Sequence, residues 1–201
     1  MRLQVKPRDF IKGQYKVKST PSGTLPLNED LMRSIKFGLP GTAMVSQIFL
    51  SDNEISLIVT YIKSFSSRFS QAKPGKAISL PPRPSFSPEQ LPLGQVAYQK
   101  NQCIQCHGPE GKGDGVLAKN LTTKPADLTQ HPLKVGSTIQ DIARTILTGM
   151  EGTPMPPYQF IIEGQELWYL AYYINSLGGQ PQETSDEKIG KEIVKGILRT
   201  K

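Results

Sequence analysis

Apolar residues recur at helical spacing in four stretches of the chain, and no stretch of useful length alternates at strand spacing. Ile139, Ile142, Ala143, Ile146 and Leu147 fall on one face of a helix. Ser137-Thr138-Ile139-Gln140 opens that helix as a capping box, an N-cap hydroxyl with Gln three residues on. Gly149 is placed to end it in a left-handed turn. A longer helix is predicted from Gly164 to Leu177, with Leu167, Leu170, Ala171 and Ile174 on one face and Trp168, Tyr172 and Tyr173 beside it. Earlier in the chain, Asn28 is placed to cap a helix through Leu31 and Ile35. Ser51-Asp52-Asn53-Glu54 is a second capping box, ahead of a stripe formed by Ile55, Ile58, Val59 and Ile62. The predicted fold class is all-α.

These stretches form two pairs that align with each other. Leu31–Met44 matches Ile142–Met155, with Arg33 on Arg144, Ile35 on Ile146, Gly38 on Gly149, Gly41-Thr42 on Gly152-Thr153 and Met44 on Met155. The flanks agree: Lys6-Pro7-Arg8-Asp9-Phe10 matches Lys124-Pro125-Ala126-Asp127-Leu128, and Tyr61-Ile62-Lys63-Ser64 matches Tyr173-Ile174-Asn175-Ser176. The pattern reads as a tandem duplication. It divides the chain into a first copy over 1–65, a connector over 66–86, a second copy over 87–178 and a polar tail over 179–201. The connector, with Lys73-Pro74-Gly75-Lys76 and Pro81-Pro82-Arg83-Pro84, has the composition of a semi-rigid, solvated spacer. The second copy opens with a segment, Ser87 to Ala118, that holds both cysteines. The matching segment of the first copy falls before Met1, so the chain is expected to start inside a domain.

Composition narrows the reading without changing it. The chain has 201 residues, 37% of them hydrophobic and 20% charged, room for one or two small soluble domains. No apolar run is long enough to cross a bilayer, and the first residues lack the apolar core of a signal peptide. The net charge of +7 is either a solvated surface or a positive face that steers acidic redox partners or anionic lipid head groups. The basic residues are scattered, without the aromatic-interleaved stripe that nucleic-acid binding predicts.

Candidate chemistry sits in Cys103-Ile104-Gln105-Cys106-His107, the C-x-x-C-H pattern of c-type haem attachment. Two thiols three positions apart are spaced to add to the two vinyl groups of one haem edge, and the adjoining His107 then lies under the iron as proximal ligand. A dithiol redox site expects strand–helix alternation around it, and a structural zinc site expects four ligands. The chain has two cysteines and one other histidine, His131. The expected cofactor is one covalent haem c with its iron. The second iron ligand is expected from Met155, in Gly152-Thr153-Pro154-Met155-Pro156, where flanking prolines stiffen the backbone. Met150 reads as a packing residue.

With these residues in view, 87–178 resembles a class I cytochrome c domain. The whole chain resembles a tandem di-haem bacterial cytochrome c that lacks its first haem-attachment segment. Besides the attachment motif and the Met155 loop, the resemblance is carried by Gly108, Gly111-Lys112-Gly113-Asp114-Gly115, Lys124–Leu128 and Tyr173-Ile174-x-Ser176-Leu177. It implies that Gly94 and Tyr98 cross the last helix near Leu170 and Tyr173. It also implies that a backbone carbonyl near Val116, where the family often has proline, accepts the N–H of His107. The function implied is electron transfer, as a carrier or as a cytochrome subunit of a bacterial respiratory chain, in the periplasm. A haem enzyme or sensor in which Met155 dissociates is the alternative. The first copy has no cysteine and no histidine, so Met44 is a ligand without a haem.

Overall fold

The structure is a computed structural model that describes residues 7–136 and 138–179. Ser137 and most of the polar tail lie outside the described residues. Among the described residues there are helices and no strand, so the fold is all-α. In chain order they are α1 (Asn28–Phe37), α2 (Asp52–Ser64), α3 (Arg68–Gln71), α4 (Gln90–Lys100), α5 (Cys103–His107), α6 (Ile139–Thr148) and α7 (Gly164–Leu177), with a 3-10 turn at Ala118–Asn120 between α5 and α6.

Helix α7 is the spine of the second half. Leu167, Trp168, Leu170, Ala171, Tyr172 and Ile174 are all buried, against Ala97 and Tyr98 of α4 and against Ile139, Ile142, Ala143, Ile146 and Leu147 of α6. Each large side chain removed from water here stabilises the fold by about 1.5–3 kcal/mol. The crossing with α4 is close because Gly94 has no side chain. A Cβ there would lie 2.1 Å from the Tyr169 carbonyl oxygen and 2.6 Å from the Tyr173 Cβ. One turn later the Tyr98 ring meets Tyr173 edge-on, with centroids 5.5 Å apart. The first half has a smaller core: Tyr15, Leu31, Ile35, Ile55 and Val59, with Phe10 and Phe69 packed on it.

Three terminal details differ from the sequence expectation. The N-cap of α6 is Thr138, whose hydroxyl accepts from the Asp141 N–H at 3.1 Å. Asn28 does not cap α1. It sits in the first turn and accepts from Lys63 Nζ at 3.0 Å, while the Asp30 carboxylate reaches back to accept the Leu27 N–H at 2.9 Å. A carboxylate at this place satisfies the N-cap residue's own N–H, the reciprocal half of a capping box, while Asn28 ties α1 to α2. Gly149 does end α6 with a positive φ of 63°, but its ψ of −165° is extended and not left-handed helical.

The likeness of the two halves extends to individual hydrogen bonds. After α1, Leu39 N–H donates to the Met44 carbonyl (2.9 Å) and Thr42 N–H to the Leu39 carbonyl (3.1 Å). After α6, Met150 N–H donates to the Met155 carbonyl (3.1 Å) and Thr153 N–H to the Met150 carbonyl (3.0 Å). The threonine hydroxyls repeat the pattern, Thr42 accepting from Met44 N–H and Thr153 from Met155 N–H. The copies diverge on the outer face of their last helix. In α7 the side of Tyr169, Tyr173 and Leu177 is occupied by α4 and the loop at Gly111. In α2 the matching Leu57, Tyr61 and Phe65 are 71%, 66% and 43% exposed.

The connector is not simply solvated. Pro81 and Pro84 carbonyls accept from Trp168 Nε1 (3.2 Å) and the Tyr172 hydroxyl (2.6 Å), and the Phe86 ring packs on Tyr172. Buried Trp and Tyr need acceptors for their polar tips, and a proline-rich strand of chain offers carbonyls that no helix has claimed.

The Gly94 approach predicts that Gly94→Ala, which forces the α4–α7 crossing apart, destabilises the protein by about 1–3 kcal/mol. Urea unfolding followed by helical circular dichroism measures it.

Candidate functional site

A five-residue helix is a single turn and has little stability of its own. The chain enters α5 through Gln102, held at a φ of 61°, and the glycine-rich loop then wraps its end. Gly113 N–H donates to the His107 carbonyl at 2.8 Å, Gly115 N–H to Cys106 at 3.1 Å and Leu117 N–H to Gln105 at 2.9 Å. Three carbonyls that a helix end leaves orphaned are thus satisfied by one loop. A side chain at 115 has no room, since a Cβ there would lie 2.3 Å from the Gln105 oxygen. The buried Tyr98 hydroxyl ties α4 to the same corner by donating to the Gly108 carbonyl at 2.8 Å.

The His107 ring is fixed from behind. Its Nδ1 lies 3.0 Å from the Ala126 carbonyl oxygen. A carbonyl only accepts, so Nδ1 carries the proton and Nε2 keeps its lone pair. Burial pushes the His107 pKa down, against a smaller upward pull from that hydrogen bond. The acceptor is ten residues beyond Val116, where the family resemblance had put it. Val116 is exposed, and the carbonyl that reaches the ring follows Pro125, whose fixed φ stiffens the approach.

Cys103, Cys106 and His107 of α5 and Met155, about fifty residues further on, line one cavity of about 200 Å³. Its walls are mainly apolar, with Leu121, Leu128, Leu133, Ile142, Ile146 and Ile174 among them. The two thiols are not joined to each other, and burial pushes Cys103 up to about 11. Tyr158 also lines the cavity and donates from its hydroxyl to the Asn101 carbonyl at 3.1 Å, which links the Met155 loop to the entry of α5. Met44 belongs to the other half and is exposed.

Some lining residues were not read from the sequence. Met150, taken as packing, faces the same cavity as Met155. Lys16 comes from the first half and lies on the cavity together with Lys134. Burial lowers the Lys16 pKa, and the charges of Arg8 and Lys134 lower it further. Lysines crowded in this way suit an anionic group. A residue 87 positions before the first cysteine carries no local signal of such a role; only the docking of the halves brings it there.

Residues 92–178 match the Cytochrome c family. Across the longer chain, the structure is similar to a chain of the reducing HAO-like protein complex Kustc0457/Kustc0458 of Kuenenia stuttgartiensis. The two are 36% identical with a TM-score of 0.81, over 87% of this chain and 83% of that one. Residues 92–178 are a cytochrome c domain. Such a domain brings covalently bound haem c and haem-based electron transfer, and the residues of the site fit that group. An apolar slot presents two free thiols, an imidazole with a free Nε2 and a thioether, and lysines stand near enough to meet acidic substituents. The similarity reaches beyond 92–178, so the first half of this cytochrome also has a counterpart in the Kuenenia chain.

Two measurements check how the corner around Tyr98 is built. Tyr98→Phe leaves the Gly108 carbonyl with one partner fewer and is expected to cost about 1 kcal/mol in urea unfolding. Burial, the largest cause, raises the Tyr98 pKa well above the ordinary range. Above pH of about 10 the unfolded state therefore binds fewer protons than the folded one, and stability falls as pH rises. That alkaline decline is expected to be shallower in Tyr98→Phe than in the wild type.

Proposed function

We propose that this cytochrome is a one-electron carrier, free or as the cytochrome subunit of a complex. In this reading residues 87–178 hold one haem c through thioethers from Cys103 and Cys106, with His107 Nε2 and Met155 Sδ as the two iron ligands. The observation that carries it is the convergence of these four donors on one apolar cavity, with the His107 proton already committed to the Ala126 carbonyl.

When bound, the haem supplies an iron couple that changes by one electron. The protein's part is to keep everything else still. His107 is oriented by a backbone carbonyl and by the capped end of α5. Met155 is presented by a loop bracketed with prolines and tied to α5 through Tyr158. The apolar walls keep water away and disfavour the more highly charged ferric form, and a thioether ligand acts in the same direction, so both raise the potential. With His107 and Met155 both holding the iron, no position would be left for a substrate, which favours a carrier over a peroxidase or sensor.

The net charge of +7 suits an acidic redox partner. The named two-protein assembly of the similar Kuenenia chain supports association with other redox proteins. Haem attachment through C-x-x-C-H supports a place in a periplasmic respiratory chain. The tandem di-haem reading is proposed as well. The uncovered α2 face of Leu57, Tyr61 and Phe65 occupies the position that α4 covers on α7, so it fits a preceding helix of the α4 kind that leads into a second attachment motif. The native protein would then show two haems per chain by pyridine haemochrome against protein mass.

The ligand assignment is tested by carbon monoxide and by spectrum. The reduced wild type is expected to take up carbon monoxide slowly and incompletely. Met155→Ala is expected to bind it fast and stoichiometrically, to lose the thioether charge-transfer band of the ferric form and to have a lower potential. Met150→Leu should retain the wild-type spectrum. Fast binding by the wild type would favour the enzyme or sensor reading, and a band lost in Met150→Leu would move the ligand to Met150.

A further inference from the structure

The Met155 loop is built around a tight turn. Thr153 N–H donates to the Met150 carbonyl and Gly152 has a φ of 76°, so Glu151 and Gly152 are the central residues of a type II turn. The first copy makes the same turn with Pro40 and Gly41, where Gly41 has a φ of 70° and Thr42 N–H returns to Leu39. Proline suits this place because its φ is already set. Glu151 forgoes that advantage, so the demands of the turn do not account for it.

Its carboxylate leaves the second half altogether. Glu151 Oε2 is paired with Lys18 Nζ of the first half, and the two side chains are only 10% and 1% exposed. The Gly23 N–H donates to the same oxygen at 3.1 Å. Arg68 Nη1 lies 3.8 Å from Oε1 and is itself anchored on the Gly13 and Gly23 carbonyls at 2.9 and 2.8 Å. Lys18 also donates to the Thr24 carbonyl at 2.5 Å. The carboxylate is therefore seated among groups of the first half and of α3, which follows it, while the turn that carries it is stitched to Met155 by the hydrogen bonds Met150–Met155 and Thr153–Met155.

We infer that Glu151 is a positioning residue for the Met155 thioether, and that the first half and α3, through Lys18, Gly23 and Arg68, hold the ligand loop in place. This rests on the reading of Met155 as an iron ligand. Where the first copy stiffens its loop with proline, the second copy stiffens it with an ion pair that exists only while the halves are docked. The strength of methionine ligation is thereby coupled to the seating of a domain that has no haem-attachment motif of its own in this chain.

The experiment uses the full-length, haem-loaded protein. Breaking a buried pair leaves a charge without compensation. Glu151→Gln is therefore expected to raise the rate of carbon monoxide capture by the reduced protein about tenfold or more, and to weaken the thioether charge-transfer band of the ferric form. Lys18→Met should act in the same direction, and the double variant should do no more than Glu151→Gln alone. Arg33→Gln is the control. It breaks a different ion pair between the halves, Arg33 to Asp141 at 2.6 Å, made at the first turn of α6, whose other end leads into the Met155 loop, and should leave both readouts unchanged even if urea stability falls. Wild-type capture rate and band in Glu151→Gln would overturn the proposal, as would an equal effect in Arg33→Gln. A wild type without the band overturns the Met155 reading itself, and this inference with it.

Discussion

A single turn of helix has to carry two sulfurs and an imidazole in fixed positions, and one turn cannot hold its own shape. Its carbonyls at Gln105, Cys106 and His107 are each taken by an amide of the following loop, and that requirement propagates outward. The loop must lie flat on the helix end, so it is rich in glycine. The loop in turn accepts the Tyr98 hydroxyl of α4 at Gly108, and α4 is held against α7 at a crossing that only glycine at 94 permits. The main contacts of the second half can be followed back to the need to keep five residues rigid.

Rigidity suits one-electron chemistry. A carrier gains from ligands that keep their places when the charge on the iron changes. Here His107 is held by a backbone carbonyl, a group that neither titrates nor rotates away. Methionine is a soft and mobile side chain, so its loop needs more external restraint than the histidine does. The restraints visible in the structure are flanking prolines, the Tyr158 tie to Asn101 and the Glu151 ion pair with the first half.

The two halves show one design used to different depth. The Met44 and Met155 loops repeat the same hydrogen bonds, while the face of α2 that matches the α4-covered face of α7 leaves Leu57, Tyr61 and Phe65 exposed. The same half is nevertheless put to use. Lys16 reaches the cavity, Lys18 pairs with Glu151 on the Met155 loop and Arg33 pairs with Asp141. Groups of the first half thus reach both the cavity and the Met155 loop of the second.

Much of this was legible in the sequence, because it rests on local rules. Helical periodicity fixed α1, α2, α6 and α7 as elements, since an amphipathic stripe has to be buried whatever lies opposite. Cys103, Cys106 and His107 stand out by their spacing within one turn, and Met155 by its flanking prolines and its match to Met44; the structure adds that Cys103, Cys106, His107 and Met155 line one cavity. Relations between distant segments were not. The partner of the His107 N–H, the approach of Met150, the packing of the connector on Trp168 and Tyr172, and the reach of Lys16, Lys18 and Arg68 depend on how separate segments dock. Docking is set by the summed fit of whole surfaces, and no short window of residues contains that sum.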